Sequence, residues 1–180
     1  MKTSPVIKTR RLRLRAFRLA DAPIVQKLAG IFEIADTTLN IPHPYPEGAA
    51  VEWITSHPEH FNRQKELHFA ITLRETQELI GAISLMNMEK EHRRAEMGYW
   101  ISKEHWNRGY ATEAAQALVN FGFSKLKLHK IYATYFERNP ASGKVLEKIG
   151  MQKEGILRSH VLKWNRYEDL VICGLIIPEK

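Results

Sequence analysis

Three strand-like runs follow one another with too little chain between them for a crossover. Leu67 to Leu73 alternates, Leu79 to Met88 carries Gly81 near its start, and Ala95 to Ser102 closes the series. Glu75-Thr76-Gln77-Glu78 reads as the turn between the first two. A parallel crossover needs about a dozen residues or more, and neither link has them. The spacing therefore predicts an antiparallel meander, and every other element must pack against that frame.

The flanking elements alternate between helix and strand. Ile7 to Phe17 reads as a first strand, with Leu12, Leu14 and Ala16 on one face and Arg11, Arg13 and Arg15 on the other. Asp21 and Pro23 suit the start of a helix running to about Gly30. Pro42, Pro44 and Pro46 impose an extended loop. A helix follows from Glu47 to Arg63, and another from Thr112 to Leu126 with Ala115, Leu118, Val119 and Phe123 on one side. Ile131 to Phe136 is a strand. Ala141 to Ile149 is a short helix stopped by Gly150, a natural left-handed terminator. Val161-Leu162 and Arg166 to Ile177 form a closing strand pair around Lys163-Trp164-Asn165. The fold class is mixed α/β (α+β), and 180 residues suit a single domain over 1–180. A chain of this size buries a core without disulfides or metal.

Composition excludes several functions. The one cysteine, Cys173, lies in an apolar run, so no intrachain disulfide framework exists and a reducing cytoplasm is expected. No Cys/His group has zinc-ligand spacing, and no metal is expected. Met1 to Phe17 is cationic and interrupted, so no secretory leader is expected, and no apolar run is long enough to cross a bilayer. The net charge of +7 favours anionic partners. Lys8, Arg10, Arg11, Arg13, Arg15 and Arg18 precede the first acid, Asp21. They read as a solvated edge strand or as an arm for RNA or a ribosomal surface. Single-stranded RNA recognition wants aromatics among the basic residues, and positions 8 to 15 have none.

The junction after Ser102 carries the chemistry. A strand ends, a short turn follows, and Gly109-Tyr110-Ala111 leads into a helix. A helix start offers unpaired N–H groups and partial positive charge, and glycine admits a phosphate closely. The same pattern is also an ordinary turn. Neither GxxxxGK[ST] nor GxGxxG occurs.

Four segments in order settle the resemblance. They are Thr9-Arg10-Arg11-Leu12-Arg13-Leu14-Arg15, Ala95-Glu96-Met97-Gly98-Tyr99-Trp100-Ile101, His105 to Ala114, and Asn139-Pro140-Ala141-Ser142 with the helix to Met151. Together the sequence resembles the GNAT acetyltransferase superfamily, in its branch of ribosomal-protein N-terminal acetyltransferases of the RimJ/RimL type. Trp106 stands where the wider superfamily often has Gln or Arg. The resemblance implies a mostly antiparallel central sheet flanked by helices and splayed between its fourth and fifth strands, with acetyl-CoA in the cleft. It places the pantetheine arm beside Tyr99, Trp100, Ile101 and Ser102, and the pyrophosphate on Trp106, Asn107, Arg108, Gly109, Tyr110, Ala111 and Thr112. Asn139 is implied to orient pantetheine amides, or is simply a turn residue.

The implied reaction moves acetyl from the thioester directly to a primary amine, which must lose a proton to attack. Glu96 is the candidate base, or else a salt-bridge partner of Arg93 or Arg94. Ser142 is the candidate hydrogen-bond donor to the departing thiolate, or else a helix N-cap. Tyr135, Tyr167, Asp169 and His105 are weaker candidates, and Glu113 fits the helix dipole. The acceptor is the N-terminal amine of a ribosomal protein, or a polyamine, aminoglycoside or amino acid. Ribosome association, a homodimer through the last strand, and a CoA-binding regulator without catalysis are further readings.

Overall fold

A computed structural model describes residues 5–177. Its strands are β1 (Ile7–Lys8), β2 (Leu12–Arg15), β3 (Leu67–Leu73), β4 (Leu79–Glu89), β5 (Arg94–Ile101), β6 (Lys130–Phe136), β7 (Gln152–Lys163) and β8 (Arg166–Ile176). The helices are α1 (Ala22–Ala29), α2 (Phe32–Thr37), α3 (Ala49–Asn62), α4 (Tyr110–Ser124) and α5 (Pro140–Lys148). One sheet runs in the order β1-β2-β3-β4-β5-β6-β8-β7. The meander β3-β4-β5 is antiparallel throughout. β5 and β6 form the one parallel pair among the described strands.

Both faces of the sheet are covered around β3, which is buried along nearly its whole length. Successive residues of a strand point to opposite faces. Phe69 and Ile71 join a core with Ala114, Ala115, Leu118 and Val119 of α4. Ala70 joins a second core with Val25 of α1 and Ala50 and Ile54 of α3. No helix among the described residues is long and apolar enough to cross a membrane.

Four local expectations change. The single first strand over Ile7 to Phe17 is a tight hairpin, because Ile7 pairs back onto Leu14. The Thr9 hydroxyl and amide both bond across its turn to Leu12. Leu12 and Leu14 are fully buried, as their alternation requires. Asp21 does occupy the N-cap position of α1, but its side chain does not cap the helix: the carboxylate closes the preceding 3-10 turn by accepting from the Arg18 amide and pairing with Arg15. Burial alone would raise its pKa, but those bonds hold it below the ordinary value. The six-residue α2 was too short to show a period. β7 begins at Gln152, far before Val161, since an edge strand with both faces wet shows no alternation.

One packing feature makes the fold sensitive to acid. His57 of α3 stacks on His68 of β3 with ring centroids 4.2 Å apart. Both His57 ring nitrogens are buried with no hydrogen-bond partner among the described residues. Burial, reinforced by His68 and His60, lowers its pKa from 6.5 to about 3. The unfolded chain therefore takes up a proton that the folded chain refuses, and stability falls as pH drops below 6.5 towards 3. Asp21 and Glu113, held below their ordinary carboxylate values, lose their contribution only at lower pH. Thermal melts between pH 7 and about 5 are expected to show a falling Tm that His57→Phe flattens, at up to about 1.4 kcal/mol per pH unit. An equally steep fall in the variant would assign the effect elsewhere.

Candidate active site

The sheet forks where the parallel pair ends. β5 and β6 are paired only at Arg94–Lys130, Ala95–Ile131 and Glu96–Tyr132. Beyond Glu96 the two strands diverge, which leaves the β6-facing backbone of Met97 to Ile101 without a sheet partner. A cavity of about 600 Å³ opens in the fork. Its walls include Glu96, Tyr99 and Trp100 of β5, Thr134 and Tyr135 of β6, and Ser142 of α5.

Glu96 sits at the apex of the fork. One carboxylate oxygen accepts from Asn87 Nδ2 at 2.9 Å, and the other from Thr134 Oγ1 at 3.1 Å. Arg94 is taken by Glu89 instead, so the salt-bridge alternative for Glu96 has no partner there. Neutral donors fix the carboxylate without discharging it, and its remaining lone pairs stay available to an amine.

At the fork's mouth, Tyr99 reaches across to α5. Its hydroxyl lies 2.8 Å from Ser142 Oγ. Burial pushes the Tyr99 phenol up to about 12, against the pull of the Ser142 bond, so it stays protonated. Ser142 is not the N-cap of α5. Asn139 takes that place and accepts the Ser142 N–H at 3.3 Å. The Ser142 hydroxyl is thereby left to Tyr99. Tyr99 is the tyrosine that meets Ser142. Tyr135 packs over Gly143, where a Cβ would come within 2.7 Å of its hydroxyl. Tyr167 is 66 % exposed. Asp169 accepts from the Ser159 amide at 2.6 Å and is not among the cavity residues.

The turn before α4 lies outside this cavity, further along β5. Asn107 and Gly109 both have positive φ, 60° and 76°. Gly109 is the N-cap of α4, and no side chain caps the helix. Its first-turn N–H groups at Tyr110, Ala111 and Thr112 therefore face outward without a cap, as a phosphate site requires. Glu113 is turned away from them. It accepts from the Thr9 hydroxyl at 2.6 Å, the Arg11 amide at 2.8 Å and Arg11 Nε at 2.6 Å. Arg11 then lies over the Tyr110 ring and donates to the Arg108 carbonyl at 3.0 Å. A planar peptide with its C=O towards Arg11 directs the Gly109 N–H the opposite way. The sequence pattern placed Arg11 on a wet strand face and did not show this link.

Two further candidates are occupied within the chain. Trp106 donates its indole N–H to the Ile101 carbonyl at 2.7 Å, tying the turn to the end of β5. Ser102 bonds through its amide to Ile80, through its carbonyl to the His105 amide, and through its hydroxyl to His105 Nδ1.

The wall facing the fork is held from a distance. Arg138 joins the buried Glu168 of β8 to Asp36 of α2. Lys163, 8 % exposed, donates to the carbonyls of Leu39 and Ile41. Thr37 to Pro42 and Tyr45 line the cavity, so the proline loop contributes to it directly. Glu66, His68 and Ser84 line it too, and sequence spacing gave no sign of them. His60, Glu66 and His68 bring their ligand-type atoms within 4.8 Å of one another. Their separation along the chain, across the end of α3, hides that meeting.

Comparison with known proteins agrees with this geometry. A family model described as an acetyltransferase (GNAT) domain matches residues 11–152. YoaA of Bacillus subtilis, described as an uncharacterized N-acetyltransferase, is 32% identical over 98% of this chain and 99% of its own. The spermidine N(1)-acetyltransferase of Escherichia coli K12 is 29% identical over 70% of this chain and 67% of its own. The solved structure of RimL, a ribosomal L7/L12 alpha-N-protein acetyltransferase in complex with coenzyme A, superposes with a TM-score of 0.89. It covers 96% of this chain and 98% of that one at 18% identity, a likeness of fold. The forked sheet and the match across most of its length together place the chain in the GNAT family of N-acetyltransferases.

Proposed function

We propose that this enzyme moves acetyl from acetyl-CoA to the primary amine of a small cationic acceptor, by direct attack. The carrying observation is the lining of the cavity. Glu66 and Glu96 are its acids, its aromatics are Tyr45, Trp53, Tyr99, Trp100, Tyr135 and Phe136, and no Lys or Arg lines it among the described residues. Such a surface attracts a positive amine and its apolar linker. In this reading the unpaired backbone of Met97 to Ile101 receives the pantetheine arm, and the turn from Asn107 to Thr112 receives the pyrophosphate. Glu96 accepts a proton from the attacking nitrogen, directly or through water. A backbone N–H of β5 stabilises the developing oxyanion. Ser142, backed by the protonated Tyr99, donates to the departing sulfur.

The N-terminal amine of a ribosomal protein is the competing acceptor. A thiol-release assay with acetyl-CoA separates them, using spermidine, a diamine, an aminoglycoside, free amino acids and peptides starting with Ser, Ala or Met. Polyamines are expected to give the highest kcat/KM. Faster release with the peptides would favour the protein acceptor. CoA binding without release by any amine would favour a regulator.

A further inference from the structure

We infer that Ser84, His68 and Glu66 form a relay that carries one proton per turnover from the amine to solvent, an inference resting on the acetyl-transfer reading above. The need comes from the proton balance. An amine that arrives as an ammonium loses two protons when the N–C bond forms and the C–S bond breaks. One ends on the sulfur of CoA. The other must leave the protein. Glu96, at the apex of the fork, and Ser142, at its mouth, serve the reacting atoms and are both half-buried.

His68 of β3, Ser84 of β4 and Gly98 of β5 lie opposite one another in one row across the sheet. Ser84 Oγ is 2.7 Å from His68 Nδ1, and His68 Nε2 is 2.7 Å from Glu66 Oε2. The same Glu66 oxygen is 2.9 Å from His60 Nδ1. Exposure of the side chains rises along this chain: 4% at His68, 28% at Glu66 and 38% at His60. Gly98 places no side chain over Ser84, and a Cβ there would strike Met86 at 2.8 Å. Glu96, opposite Met86, is two residues along β5, roughly 7 Å away.

The polarity of the bonds fits transfer outward. The Glu66 carboxylate only accepts, so His68 donates from Nε2 and leaves Nδ1 to accept the Ser84 proton. Burial lowers the His68 pKa against the pull of Glu66, so the ring rests neutral and able to take a proton. The groups facing it are Glu66, Ser84, His60, the stacked His57 and the edge of Trp53. In the step, Ser84 Oγ takes a proton from the ammonium as its own passes to His68 Nδ1. The Nε2 proton moves to Glu66, and from there to water beside His60.

The test compares Ser84→Ala and Glu66→Gln with the wild type, using the panel amine of highest turnover. Lowering pH charges the amine, so the relay matters most there. At about pH 6.5, kcat is expected to fall at least about tenfold in both variants, with KM for acetyl-CoA unchanged. The deficit is expected to shrink steadily up to about pH 9, as the neutral fraction of the amine grows. Should Ser84→Ala fail to fold by circular dichroism, Glu66→Gln at the more exposed end decides alone. A deficit constant with pH, or none at pH 6.5, overturns the relay while leaving acetyl transfer standing. A wild type that releases no CoA with any amine overturns both.

Discussion

Glu96→Gln is expected to lower kcat by about 10²–10³-fold at neutral pH, with CoA affinity unchanged. The carboxylate stands at the apex of the fork, held by Asn87 and Thr134. Glutamine matches its size and can accept one of those bonds. It cannot take a proton, and it removes the negative charge facing a cationic amine. Packing and cofactor contacts are left in place. Steady-state kinetics varying each substrate separately, with isothermal titration of CoA, check this. A variant within about threefold of the wild type would move the base to another group.

Gly109→Val is expected to raise KM for acetyl-CoA about 10–100-fold, with a smaller effect on kcat at saturation. Space is not the reason, since a Cβ there would meet Arg11 at an ordinary 3.5 Å. The reason is φ of +76°, which a β-branched residue adopts only with strain of a kcal/mol or more. Relief of that strain turns the first N–H groups of α4 away from the phosphates. Gly109→Asn, which tolerates the left-handed region, is expected to keep most of the affinity. Calorimetry with CoA reads both variants, and wild-type binding by the valine variant would place the pyrophosphate elsewhere.

The meander, α4 and α5 were legible because their signals are local. Apolar period, short links and a terminating glycine all lie within a few residues. The fork was legible only through family resemblance, because nothing local tells β5 to leave β6 after Glu96. The acceptor wall was hidden for a related reason. Glu66 and His68 meet Ser84 across a strand pair, and Lys163 reaches Leu39 and Ile41 from more than 120 residues away. Tyr99 was placed on the pantetheine path, but its bond to Ser142 depends on how β5 and α5 converge. The arginine face of the first strand misled most. Arg11 and Arg15 read as solvated, yet each is spent on a carboxylate, Glu113 and Asp21.

That spending ties the beginning of the chain to the turn at Gly109. Arg11 props the Arg108 carbonyl, and Glu113 anchors Arg11 and Thr9. The hairpin of β1 and β2 forms one of the two edges of the sheet, and sheet edges are where local opening is easiest. Occupancy of the turn and closure of that edge therefore belong to one equilibrium. If the turn holds the pyrophosphate as proposed, CoA binding is expected to slow amide exchange in the first strand, and loosening the first strand to weaken CoA by the same factor.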